Sequence, residues 1–145
     1  MTKQGTTAGI ERLIDANLNR LKEGIRVIED VNRYIHDDAH MTSRLKELRH
    51  QLQRAYDPAR LQHRDIENDV QKESIASELS RATFDDLVVA NFSRAQESAR
   101  VLEESFKLID LALSELFKLI RYELYALEKS YFHGLKGTSK ICQGL

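Results

Sequence analysis

The sequence predicts an all-α fold: a four-helix bundle made of two duplicated antiparallel helical hairpins with an irregular middle connector. Three observations carry that expectation. The 145 residues hold one Pro and six Gly, and no β-branched alternation interrupts them, which favours long helices over short strands. Apolar residues recur at helical spacing over long windows. Finally, "ANLNRLKEGIRVIED" from Ala16 returns as "ANFSRAQESARVLEE" from Ala90. The two lines agree at Ala16/Ala90, Asn17/Asn91, Arg20/Arg94, Glu23/Glu97, Arg26/Arg100, Val27/Val101 and Glu29/Glu103. Unrelated windows of this length share about one identity by chance, so the agreement marks an internal repeat.

The elements follow in order. Helix 1 is expected from about Ala8 to about Ile35, because Ile14, Leu18, Leu21, Ile25 and Ile28 fall within a narrow arc at 100° per residue. "HDDAHMT" breaks the pattern, and helix 2 continues on Leu45, Leu48 and Leu52 to about Tyr56. Asp57-Pro58 reads as a cap followed by Pro at the first helical position, so a short helical turn can start there. Helix 3 opens at Thr83, where Thr83-x-x-Asp86 resembles a capping box, and runs to about Ile109. Asp110 can cap helix 4, for which Gly134 is the expected stop. The expected organisation is a flexible N-terminus over residues 1–7, one helical domain over 8–134, and a mobile tail over 135–145.

The repeat extends beyond its opening lines. "LKELRHQL" from Leu45 matches "FKLIRYEL" from Phe117 at Lys46/Lys118, Arg49/Arg121 and Leu52/Leu124. Helices 2 and 4 are therefore also copies, and two such hairpins bury their apolar stripes against each other about an approximate two-fold. The connector from about Gln53 to Arg81 has no second copy, and chemistry is sought there first. Phe117, Tyr122 and Tyr125 on helix 4 are left over as candidates for a homodimer contact.

Bulk properties narrow the function classes. A formal net charge of −1 with mixed acids and bases gives no global field for nucleic acid. Cys142 is alone, so neither an internal disulfide nor a Cys-based zinc site is on offer. No apolar run reaches the roughly 20 residues of a membrane span, and the first residues lack a signal-peptide core. The expectation is a cytoplasmic protein with no membrane partner.

The repeated polar letters have two readings. Asn17, Arg20, Gly24 and Val27 border the apolar stripe of helix 1, and Asn91, Arg94, Ser98 and Val101 trace the same line on helix 3. They can form a structural network that sets helix register, with Arg20 facing Glu97 and Arg94 facing Glu23, or they can form a ligand shell. A further row, Arg26, Glu29 and Arg33 with its copy Arg100, Glu103 and Lys107, is expected to face solvent, Arg33 being the exception to watch.

"RLIDANLNRLKEGIRVIEDVNRY", "RLKELRHQL", "RDIENDV" and "VVANFSRAQESARVLEESFK" resemble, in order and spacing, the small all-helical hydroxymethylpyrimidine phosphate kinase family of thiamin biosynthesis. Members stand alone or are fused ahead of thiamine phosphate synthase. The resemblance covers about Ile10 to Lys129. It implies transfer of the γ-phosphoryl group of ATP to hydroxymethylpyrimidine phosphate with Mg²⁺, and thiamine phosphate synthase as a functional or physical partner. The family's acidic motif continues Asp-Val-Gly, whereas here Gln71 follows Asp69-Val70. No G-x-x-x-x-G-K-[ST] loop is present, so a helical bundle doing this chemistry needs side-chain cations and helix N-termini in its place.

Phosphoryl transfer asks for positioning and charge neutralisation. With that resemblance, Arg64, Asp65 and Arg49 are the catalytic candidates. Asp65 and Asp69, four residues apart in the unduplicated connector, are the candidate magnesium ligands. Arg20, Arg94 and Arg33 are candidates for the nucleotide phosphates, because the guanidinium fork fits them. Asn17, Asn91, Asp15 and His50 are candidates for the pyrimidine substrate, each Asn offering a donor and an acceptor to the aminopyrimidine edge. The competing expectation is a non-catalytic bundle that binds or organises thiamine phosphate synthase.

Overall fold

Ile14, Leu21, Ile25 and Ile28 line one face of α1 (Lys3–Asp30), and all four are fully buried. The computed structural model describes the backbone of residues 3–64 and 83–143 and the side chains of residues 7–64 and 83–134. α1 begins five residues before the expected Ala8. It passes into a π-helical turn, Val31–Ile35, that ends where the apolar pattern said it would. Asp37 follows with φ 52°, a left-handed conformation that Asp adopts more readily than most residues. Asp38 then caps α2 (Ala39–Gln51), its carboxylate accepting from the Met41 amide at 3.0 Å.

α2 tightens into a 3-10 turn, Leu52–Ala55, and a second 3-10 turn spans Pro58–His63. Asp57 caps the latter by accepting from the Ala59 amide at 3.0 Å, as the Asp-Pro pair predicts. Thr83 caps α3 (Phe84–Phe106) through its hydroxyl, which accepts from the Asp86 amide. Asp110 accepts from Leu113 N at 3.2 Å ahead of α4 (Leu111–Gln143). α4 runs past Gly134. No glycine among the described residues has the positive φ of a C-terminal stop, so Gly134 is simply carried in the helix at a modest cost in propensity.

All the described regular structure is helical, and the molecule is an all-α bundle. α1 and α3 form its central pair; α2 packs on α1, α4 on α3, and α2 and α4 scarcely meet. The core is continuous from Ile14 and Leu45 through Phe92 and Leu102 to Phe117 and Leu124, with Phe106 and Phe117 stacked at 5.4 Å. Phe117 is fully buried and is not a leftover surface residue: it is the copy of Leu45, which is equally buried. Tyr122 and Tyr125 remain exposed, packed edge to face beside Arg121.

Gly24 sets the spacing of the central pair. A Cβ there would lie 3.2 Å from the Asn91 carbonyl oxygen and 3.4 Å from the Ala95 Cβ, so the small residue lets the two backbones close up. At the far end Arg60 touches both Glu11 of α1 and the Phe106 ring of α3. The start of α1 thus lies near the end of α3, and the pair is antiparallel.

Two expectations about charge fail here. Glu29 and Glu103 do not face solvent. They are 4% and 6% exposed, because each flank of its helix is covered by the second helix of its own hairpin. Glu29 takes a fork of hydrogen bonds from Arg49, at 3.1 and 3.2 Å. Glu103 takes the equivalent pair from Arg121, at 3.2 and 3.0 Å. Hydrogen bonds to Tyr125 and Glu103 raise the Arg121 pKa further above its ordinary value. The second failure is the reciprocal arrangement: Arg20–Glu97 and Arg94–Glu23 are not ion pairs in the fold, and all four side chains are exposed. The register-setting tie runs within each hairpin, between copies of the same Glu and Arg.

Removing one partner strands the other. Glu103→Ala is expected to cost about 1.5–3 kcal/mol, the range for hydrogen bonds to a charged group. Glu29→Ala should cost less, because Arg49 is more exposed than Arg121 and can recover water. Urea unfolding of the two variants checks the order; equal stability of both with the parent would show that neither pair ties its hairpin.

Candidate functional site

The connector is fastened to α1 by a ladder of two ion pairs. Glu11 and Asp15 lie four apart on α1, and Arg60 and Arg64 lie four apart across the second 3-10 turn. Arg60 is buried. Its Nε donates to Glu11 Oε2 at 2.6 Å, its Nη1 donates to the Ala55 carbonyl, and its guanidinium lies 5.8 Å from the Phe106 ring centre. Arg64 is exposed and grips Asp15 with both arms of its fork, Nε to Oδ2 at 2.8 Å and Nη2 to Oδ1 at 3.0 Å. Those hydrogen bonds raise its pKa above the ordinary arginine value, so Arg64 stays cationic at any working pH. Asp15 is half-buried and Arg64 is exposed, so the arginine is the member of the pair that can exchange partners.

The repeat shows what is special to this end. The copy of Asp15 is Val89, and the copy of Glu11 is Asp85. Among the described residues Asp85 holds no arginine. It accepts from the Tyr131 hydroxyl at 3.0 Å, and His36 Nε2 lies 2.9 Å from the same oxygen. Since the hydroxyl proton goes to Asp85, His36 is the donor, through Nε2–H. The chain His36–Tyr131–Asp85 ties the first turn, α4 and the start of α3 together. Burial, then the hydrogen bond to Asp85, raises the Tyr131 pKa above its ordinary value near 10.

The predicted residues fall into three groups. Arg64 and Asp15 are brought together, and Arg49 is engaged by Glu29. Asn17 and Asn91 are buried, and each donates its amide N–H to the carbonyl four residues back, Leu13 and Leu87, at 2.8 Å. In contrast Arg20, Arg94 and His50 are exposed and have no hydrogen bond or ion pair among the described residues. Arg33 is exposed and stacks on Tyr34 at 5.0 Å, beside a groove lined by Asp37, Asp38 and Thr42. Asp65 and Asp69 lie outside the described residues.

The sequence reading missed Arg60 and Tyr131. Arg60 had a signal: it precedes Arg64 by the same four residues that separate Glu11 from Asp15. Tyr131 had none, because its partners come from two distant helix ends. Among the described residues no group of three or more His, Cys, Asp or Glu could hold a metal ion, and no helix is long and apolar enough to cross a membrane.

Fold and site define a small helical domain built from a duplicated hairpin and carrying arginines on its surface. The chain belongs to the ThiD2 family, whose model matches residues 12–130. It is similar to the thiamine-phosphate synthase of Thermosynechococcus vestitus, 39% identical over 122 residues that make up 83% of this chain and 35% of the relative. The thiamine-phosphate synthase of Synechocystis sp. is 38% identical over 144 residues, 99% of this chain and 40% of the relative. That of Rhodopirellula baltica is 38% identical over 120 residues, 79% of this chain and 32% of the relative. The chain thus spans about a third to two-fifths of the length of these relatives. No solved structure matches it.

The buried hydroxyl gives a pH prediction. The folded state favours protonated Tyr131, so its contribution to stability is complete below the ordinary pKa near 10 and is lost as pH rises beyond it. Alkaline unfolding of Tyr131→Phe should therefore begin at higher pH relative to its own neutral stability than that of the parent. Parallel stability curves for the two proteins above pH 10 would contradict this.

Proposed function

We propose that the protein is an ATP-dependent phosphotransferase converting hydroxymethylpyrimidine phosphate to its diphosphate in thiamin biosynthesis. Membership of the ThiD2 family supports the pathway, and relatives named thiamine-phosphate synthase point the same way. The observation that carries the reaction class is the set of arginines that the described fold leaves available: Arg20 and Arg94 with no hydrogen bond or ion pair among the described residues, Arg33 stacked on a tyrosine, and Arg64 exposed in its pair with Asp15. A chain of near-zero net charge that presents this many uncommitted guanidinium forks is equipped for phosphate groups.

In this reading Arg64 exchanges Asp15 for a substrate phosphate, and Asp15 is freed toward the pyrimidine. Arg20, Arg94 and Arg33 supply guanidinium forks for the phosphates that the two substrates bring. Arg49 acts through Glu29 to hold α2 on α1, and His50, exposed one residue later, faces the substrate. Asn17 and Asn91 keep their amide oxygens for the aminopyrimidine edge. Asp65 and Asp69 hold Mg²⁺, which shields the phosphate charges; magnesium needs only one or two carboxylates alongside substrate phosphates, so a preformed protein cage is not required. The acceptor oxygen is already anionic, so no strong general base is required.

A second reading has one observation behind it: the relatives are named as synthases and are more than twice as long as this chain. The domain would then bind or organise a thiamine phosphate synthase without catalysis. ATP, Mg²⁺ and hydroxymethylpyrimidine phosphate mixed with the purified protein should release ADP and form the diphosphate. No ADP above background, with a synthase retained on the immobilised protein, would favour the second reading. Asp15→Asn, Asp65→Asn and Asp69→Asn are each expected to lower turnover by about tenfold or more while leaving the melting temperature near that of the parent. Full turnover in all three would remove these carboxylates from the site.

A further inference from the structure

The internal repeat separates residues that the fold uses from residues that it does not. Glu29 and Glu103 each hold an arginine, and Asn17 and Asn91 each bond the preceding turn. Their identity in both copies is explained by packing. Arg20, Arg94, Glu23 and Glu97 are preserved equally well, yet all four are exposed and form no hydrogen bond or ion pair among the described residues. Exposed side chains with no partner are free to diverge between two copies, since most such substitutions change stability by less than about half a kcal/mol. Apart from the attraction between Glu23 and Arg64, nothing among the described residues accounts for these four.

Geometry shows where they lie. The contacts of Gly24 with Asn91 and Ala95, and the bridge from Glu11 through Arg60 to Phe106, run α1 and α3 antiparallel about an approximate two-fold. Arg20 and Glu23 of α1 therefore come level with Glu97 and Arg94 of α3. α1 and α3 thus carry two equivalent sets, each an arginine and a glutamate three residues apart and so on one helix face, with Glu97 at the edge of a groove lined also by Arg100 and Tyr125.

We infer that these two sets are half-sites that divide the two substrates between them, one taking ATP and the other the pyrimidine phosphate; this rests on the kinase reading above. The two substrates present the same chemistry, a phosphate group and an amino-substituted pyrimidine ring. An arginine fork answers the phosphate, and a carboxylate accepts from the ring's amino group. A duplicated hairpin supplies that pair twice. The phosphoryl group crosses between the sets: an oxygen of the acceptor phosphate bonds to the γ-phosphorus, the bond from that phosphorus to the β–γ bridging oxygen breaks, and its electron pair leaves with ADP. No proton acceptor or redox partner enters the balance.

Steady-state kinetics of Arg20→Ala and Arg94→Ala test the division. One variant should raise KM for ATP by about tenfold or more and the other KM for the pyrimidine phosphate, each leaving the other substrate's KM within about twofold. Both should melt with the parent. Two variants that raise the same KM, or that change neither, overturn the inference. Calorimetry with inorganic tripolyphosphate keeps the test separate from catalysis: each single variant should bind it more weakly and the double variant not at all. Undiminished binding by the double variant overturns the half-sites whether or not the parent releases ADP. Absence of ADP release alone removes only the kinase reading.

Discussion

The close antiparallel contact of α1 with α3 at Gly24 is the constraint on which the rest of the structure hangs. A Cβ at that position would already be tight against the Asn91 carbonyl, so the two longest apolar stripes in the chain meet at a distance that larger residues would not allow. α2 and α4 are then outriggers, each packed on one member of the pair and hardly on each other. Among the described residues nothing covers Arg20 and Arg94, which stand exposed on α1 and α3. Burial and availability thus come from one packing decision: the apolar arcs face inward together with Asn17 and Asn91, and Arg20 and Arg94 face out.

Each hairpin carries its own polar tie. Glu29 and Arg49 are separated by 20 residues in the chain, Glu103 and Arg121 by 18. The two extra residues of the first hairpin fall where α1 loosens into its π-helical turn and Asp37 takes a left-handed conformation. Buried pairs of this sort contribute little against an apolar substitute of the same shape, but breaking one leaves a charge without water. Their value is in register: the Glu can meet its Arg only when the two helices are correctly aligned. The connector is fixed by a different device, the ladder of Glu11–Arg60 and Asp15–Arg64, which exists on one side of the two-fold only. An otherwise symmetrical frame is made unequal there.

Much of the fold was legible in the sequence because it is written in local signals. Helical spacing placed the buried stripe, Asp57-Pro58, Thr83 and Asp110 placed the caps, and the repeat placed the pairing of hairpins. Glu29 was misjudged because a helical projection locates a residue on a flank without saying which neighbour covers that flank. Phe117 was misjudged although its copy, Leu45, had been assigned to the core. Both errors disappear once helix 2 is laid on helix 1. The candidate site was less legible. Arg64 and Asp15 are 49 residues apart, and nothing local joins them. Arg60 and Tyr131 owe their partners to where chain segments cross, which periodicity does not encode.

The division into two hairpins also shapes how the chain reaches its native state. Within a hairpin the partners are near neighbours in sequence, and such contacts close quickly. Docking one hairpin on the other is the long-range event, since Gly24 must find Asn91 and Ala95 across the whole connector. Loop-closure entropy rises only slowly with the length of that connector, so its length is a weak brake, whereas bulk added at the Gly24 seam obstructs the docking itself. Docking of the halves therefore tolerates a longer connector more readily than a larger residue at Gly24.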